Sequence, residues 1–204
     1  MSPLLGKALK KPGLLELSPT QFVLGMKEIE YKVRKIKSLS PKDLQKYCNE
    51  HVIPLILAPH DQIFLIDHHH FARACWETNV DQYSVKVLKD LRDLKPKAFW
   101  NFMVKNNWTY LHDQFGMGPH SPYSLPADIR GLADDPYRSL AWAVLDQGGF
   151  KKMNVPFFEF QWAAFYRQNM DIIVRSKSDF KDAIKEAMKL SKSPDASHLP
   201  GFLK

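Results

Sequence analysis

Between residues 52 and 77 the chain reads VIPLILAPHDQIFLIDHHHFARACWE, and no other stretch constrains the fold as tightly. VIPLILA and IFLID are short apolar runs separated only by PHDQ, so they form a hairpin or two neighbouring strands. Asp67 then serves as the N-cap of an amphipathic helix over HHFARACWE. At that strand-to-helix seam His68, His69 and His70 stand in a row, three of the eight histidines in the chain.

The flanking segments extend this mixed pattern. LSPTQF is a short extended piece ending in a turn, and GMKEIEYKVRKIK places Met26, Ile29, Val33 and Ile36 at helical spacing. Ser40, Pro41 and Asp43 supply the N-cap, first-turn proline and capping-box acid of a second helix ending near Glu50. YSVKVLKDL alternates Val85 and Val87 with Lys86, the period of a third strand. From Lys95 the period becomes helical: PKAFWNFMVKN, DDPYRSLAWAVLDQGG, PFFEFQWAAFYRQN and SDFKDAIKEAMKLSKS each read as a helix. The long Gly- and Pro-rich loop DQFGMGPHSPYSLPADIRG lies between them, the kind of loop more often functional than ornamental. SPDASHLPGFLK is a tail expected to fray.

At 204 residues and 45% hydrophobic, the chain can bury a real core. Cys48 and Cys75 have no CxxC spacing and suggest buried or reduced thiols rather than a disulfide framework or a zinc site. The first nineteen residues lack the uninterrupted apolar core of a secretory signal, and no later run reaches membrane-span length. A cytoplasmic protein without membrane partners is expected, unless a leader has been removed. The net charge of +7 sits at the ends, where residues 1–50 hold ten Lys and Arg against five Asp and Glu. Such ends can hold a polyanion by counterion release, and they can equally be ordinary solvated helix faces.

Asp67 to His70 would stand where a helix N-terminus offers free N–H groups and a positive dipole end, a place suited to phosphate. An adjacent aspartate and histidine can polarise a hydroxyl or a water. A metal fits less well, because successive residues on a first turn point about 100° apart. In DDPYRSLAWAV, Asp135 is an N-cap and Pro136 a first-turn proline, while Asp134 and Arg138 form an i, i+4 pair. Arg138 and Glu159 both lie among bulky apolar neighbours, where a charge needs a partner. They either pair with each other across two helices or close over the turn, Arg138 facing a phosphate and Glu159 orienting a histidine. Trp100, Trp142, Phe157, Phe160 and Trp162 recur at helical spacing, as core aromatics do.

The order of an extended ELSPTQ, a helix and VIPLILAPHDQIFLIDHHHFARACWETNVDQYSVKVLKDL resembles the ParB/sulfiredoxin superfamily over about residues 14–91. In that superfamily a strand, a short motif and a helix create a nucleotide-phosphate pocket. With FWNFM, LADDPYRSLAWAV and PFFEFQWAAFYR, the whole chain is similar to the ParB-like nucleases whose signature is the Asp-His-His-His turn. The resemblance implies an α+β fold: a ParB/sulfiredoxin-like domain with a small mixed sheet over 12–94, a helical domain over 95–193 and a tail over 194–204. Free-serine kinases of the same fold carry Asp-Gly-His-His-Arg. Asp67, His69 and His70 match that pattern, with His68 in place of glycine and Phe71 in place of arginine.

The resemblance implies phosphoester chemistry on a nucleotide or nucleic acid. Asp67 would be general base within the Asp67, His68, His69, His70 turn, His69 and His70 phosphate ligands or acid, and Arg73 and Arg138 phosphate cations. Gln21, Asp134 and Glu159 would support them, and a nucleotide with Mg or Mn is the cofactor to look for. Two other functions use the same features: a non-catalytic nucleic-acid or protein-binding module, and a small-molecule kinase of the free-serine type.

Overall fold

A computed structural model describes residues 11–172 and 176–203. The first ten residues, on which much of the reading of the N-terminal segment rests, lie outside that range, as do Arg175 and Lys204 of the basic C-terminal end. The fold is α+β. A four-stranded sheet has the order β1 (Leu17–Pro19), β4 (Ile63–Leu65), β3 (Ile53–Leu57), β5 (Val85–Asp90). Strands β3 and β4 pair antiparallel across the PHDQ turn, while β1 joins β4 and β5 joins β3 in parallel. The hairpin and the third strand expected from sequence are therefore present.

Side-chain alternation gives the sheet two faces. Leu17, Leu55 and Leu65 point into a core shared with Ile29 and Ile36 of α1 (Met26–Ser38), Tyr47 and Cys48 of α2 (Pro41–Glu50), and Phe71, Ala74 and Cys75 of α3 (His69–Glu77). Both cysteines are free and buried there. Ile56 and Phe64 point the other way, onto Phe99, Trp100 and Met103 of α4 (Pro96–Lys105). The start of α2 follows the local signal, with Ser40 Oγ accepting from Asp43 N at 3.2 Å and Pro41 in the first turn.

Helices α5 (Pro136–Asp146), α6 (Phe158–Asn169) and α7 (Lys177–Leu190) build a third core around Trp162, which stacks on Phe150 with ring centroids 4.1 Å apart. Trp100, Phe160 and Trp162 are buried as expected of core aromatics, while Trp142 and Phe157 are half-buried. The described C-terminal residues pack onto this core. Leu199 is buried, Trp162 Nε1 donates to Pro200 O, and Lys151 N donates to Gly201 O at 2.8 Å, because the apolar tail residues complete this core.

Besides α4, which covers one sheet face, β-pairing and helix packing bring the helical segment onto the sheet segment. A two-stranded parallel pairing joins β2 (Val23–Leu24) to β6 (Ala133–Asp134), and α1 packs on α5. Their approach depends on Gly25, where a Cβ would lie 2.9 Å from the Ser139 backbone nitrogen. Among the described residues no helix is long and apolar enough to cross a membrane.

Candidate functional site

The histidine turn follows β4 directly, but its cap is not Asp67. Helix α3 begins at His69, and the N-cap is His68, held in the left-handed region at φ 62° and ψ 25° without a side-chain cap bond. Asp67 remains exposed, its Oδ1 accepting from His68 N at 2.6 Å. The carboxylate thus braces the turn one residue earlier than expected, because the chain must reverse sharply between strand and helix.

His69 and His70, expected as phosphate ligands or acid, do not stand open to solvent. Both are buried, 4% and 8% exposed. His69 Nε2 accepts from Thr20 N at 3.2 Å and His70 Nε2 accepts from Gly25 N at 2.9 Å. Only a neutral ring protonated on Nδ1 can accept at Nε2. Burial accordingly drives both pKa values down to about 3; the Asp67 and Glu28 carboxylates pull the other way without prevailing. These rings satisfy amides of the segment joining β1 to α1, which would otherwise be buried unpaired. Each is fully committed at Nε2, so neither offers that nitrogen to a phosphate.

Arg73 is likewise committed. Its Nε binds Glu77 at 2.8 Å and its Nη1 donates to the Ile129 carbonyl at 3.1 Å, fastening the turn at Ile129–Gly131 to α3. Gln21 is buried and donates to Val23 O, and Asp134 Oδ1 accepts from Met26 N at 2.9 Å at the start of α1. Asp134 therefore does not form the expected i, i+4 pair with Arg138. Asp135 is the N-cap of α5, accepting from Tyr137 N, and its other oxygen binds Arg167 at 2.7 Å.

Arg138 and Glu159 do meet across α5 and α6, Nη1 to Oε2 at 2.6 Å. A third charge joins them that sequence reasoning missed: Glu28 of α1, whose Oε2 lies 3.2 Å from Arg138 Nη1 and 3.4 Å from His70 Nε2. Lys32 reaches Glu28 Oε1 at 3.3 Å from the next turn. The separations from Arg138 and Lys32 are ion-pair distances, yet Glu28 Oε2, Glu159 Oε2 and Arg138 Nε and Nη1 are buried without a well-directed hydrogen bond. The charge of Lys152 acts on both Glu159 and the half-buried His68.

The two carboxylates are driven apart. Burial alone would raise Glu28, but the surrounding positive charges of His70, Arg138 and Lys32 hold it down at about 2. Since His70 is neutral at ordinary pH, Arg138 and Lys32 do this work there. For Glu159 burial prevails over Arg138 and the pKa rises. Burial and charge thus push the two carboxylates in opposite directions. In addition, the amides of His69, His70 and Phe71 precede the first hydrogen bond of α3, Ala72 N to His68 O, and carry the positive end of the helix dipole. Among the described residues no group of three or more His, Cys, Asp or Glu side chains is placed to hold a metal ion.

The signal for Glu28 was weak, since KEIEYK reads as a solvated helix face; only the adjacency of Glu28 to Ile29 hinted at burial. Lys152 lies in a loop with no motif around it.

An α+β domain with a strand, a histidine turn and a helix beside a buried ionic cluster defines the class. The family model described as "Putative ParB-like nuclease" matches residues 12–168, and the chain belongs to that family. It is also similar to the crystal structure of protein Atu1540 from Agrobacterium tumefaciens, at 36% identity and TM-score 0.82, over 92% of this chain and 94% of that one. No curated protein matches it.

Proposed function

We propose that the ionic cluster of Glu28, Arg138 and Glu159, where α1, α5 and α6 meet, binds the phosphate of a nucleotide or nucleic acid and carries out phosphoester chemistry on it. Lys32, Lys152, His68 and the first amides of α3 supply the positive potential for the anion. Glu159 takes the proton of the attacking water or hydroxyl, and Arg138 holds its carboxylate in place. Glu28 stays ionised and fixes Arg138 and Lys32. Asp67, exposed at the turn, braces the amides rather than abstracting the proton.

The observation that carries this reading is the geometry of the cluster: Arg138 Nη1 lies 3.2 Å from Glu28 Oε2 and 2.6 Å from Glu159 Oε2, and none of these atoms has a well-directed hydrogen bond. Buried polar groups without partners are costly and mark sites where a ligand or water completes the network. The test is turnover of nucleotides, phosphodiesters and DNA by the wild type and by Glu159→Gln. Loss of a general base lowers kcat by about 10²- to 10⁴-fold. If the wild type neither hydrolyses nor transfers phosphate with any of these substrates, with or without magnesium or manganese, the catalytic reading fails.

A further inference from the structure

We propose that a cleft on the opposite face of the sheet, between α4 and residues 122–127, is a second ligand site, and that it takes a planar nitrogen heterocycle of nucleobase size. The sheet separates this cleft from the side on which α3 packs, so it stands independently of the reading above.

Its volume is about 290 Å³, at the small end of the range for ligand pockets. The floor is aromatic: Phe64, Phe99 and Trp100 are all buried, and the Phe64 and Trp100 rings meet at 79° with centroids 5.1 Å apart. At the rim stands Tyr123, 67% exposed, its ring 6.4 Å from that of Trp100. A phenol left in water beside an aromatic pocket is the group that a flat ligand would cover. No Lys, Arg, Asp or Glu lines the cleft, so charge is not what it recognises. The polar groups it offers include the Gln62 amide and the His60 imidazole, each able to donate and to accept, as the edge of a heterocycle requires.

The backbone supports the assignment. His60 and Asp61 both have positive φ, 62° and 56°, at the centre of the β3–β4 turn. Such a turn favours Asn-Gly, and a histidine there is strained. Strain of this kind collects at binding sites, where the side chain matters more than the ease of the turn. The opposite wall belongs to the long loop singled out from sequence, and it is held in place: Ser18 Oγ donates to Ala127 O at 3.3 Å, and Ser121 Oγ accepts from Tyr123 N. The prolines Pro59 and Pro122 stiffen the two walls. A wall fixed before the ligand arrives lowers the entropic cost of binding.

The experiment titrates the full chain with unphosphorylated nucleosides, adenosine and cytidine among them, by calorimetry and by saturation-transfer NMR, with cyclohexanol and a proline-rich peptide as controls. At least one nucleoside should bind with a Kd on the order of 1 mM or tighter. Tyr123→Ala should weaken that binding by about tenfold or more with an unchanged Tm, because its ring is exposed, and Gln62→Ala should weaken it too. Lys152→Ala should leave it intact. The proposal is overturned if no nucleoside binds up to roughly 10 mM, if Tyr123→Ala and Gln62→Ala bind as the wild type does, if Lys152→Ala abolishes binding, or if the peptide binds and the nucleosides do not.

Discussion

Protonating the two buried histidines should destabilise the protein at mildly acidic pH, and the size of the effect follows from the structure. His69 and His70 titrate near 3 when folded, each accepting an amide hydrogen bond that the protonated ring cannot accept. In the unfolded chain each returns to about 6.5. Between these values the unfolded state binds more protons, so stability falls as pH falls through this window. From pH 7 to pH 5 the loss is about 2 kcal/mol per ring, about 4 kcal/mol for the pair. His51 and His68 are also lowered by burial and add to the same slope. Glu28, held down at about 2, contributes stability that is lost only below the usual carboxylate range and leaves this window clear. Urea unfolding at pH 7, 6 and 5 measures the slope. His70→Asn, whose amide oxygen can still accept from Gly25 N, should remove roughly half of the contribution of the pair. A flat stability between pH 7 and 5, or imidazolium signals for either residue in the native state at pH 5, would refute the neutral staples.

Other consequences are equally direct. Arg138→Met leaves the buried Glu28 and the half-buried Glu159 without their shared arginine and should cost about 3–5 kcal/mol in urea unfolding at pH 7. His68→Gly relieves a left-handed residue and should raise stability by about 1 kcal/mol while weakening phosphate binding, which calorimetry separates from the change in Tm. If the basic face of α1 holds nucleic acid, affinity should fall steeply with salt, and replacing Arg34, Lys35 and Lys37 with Ala should weaken it in every sequence context. A flat salt response would leave those residues as solvated surface.

What was legible in the sequence was local. Ser40-Pro41 and Asp135-Pro136 start helices because their caps need only the next few residues, and the strand runs at 53–57 and 63–65 are short and apolar enough to exclude helices. The meeting of Arg138 with Glu159 could be foreseen because two charges among aromatics need each other. The β2–β6 pairing could not, since two-residue strands more than a hundred positions apart carry no period. Nor could the shift of the cap from Asp67 to His68, which depends on a left-handed backbone that no histidine prefers. The partners of His69 and His70 were hidden for a related reason: a row of titratable side chains looks like chemistry, and only the fold brings Thr20 N and Gly25 N to two of them. Glu28 was hidden inside an i, i+4 pattern that usually faces water.

The most direct test of the proposed phosphate site is a crystal structure of the chain with a non-hydrolysable nucleotide or phosphodiester. The account places a phosphate within hydrogen-bond distance of Lys32, Lys152 or the first amides of α3, with Glu159 the carboxylate nearest the reacting phosphorus and His69 and His70 still bonded to Thr20 and Gly25. A phosphate bound at Asp67 with the His69 and His70 rings swung out to meet it, or seated elsewhere while Glu28, Arg138 and Glu159 stay untouched, would contradict it.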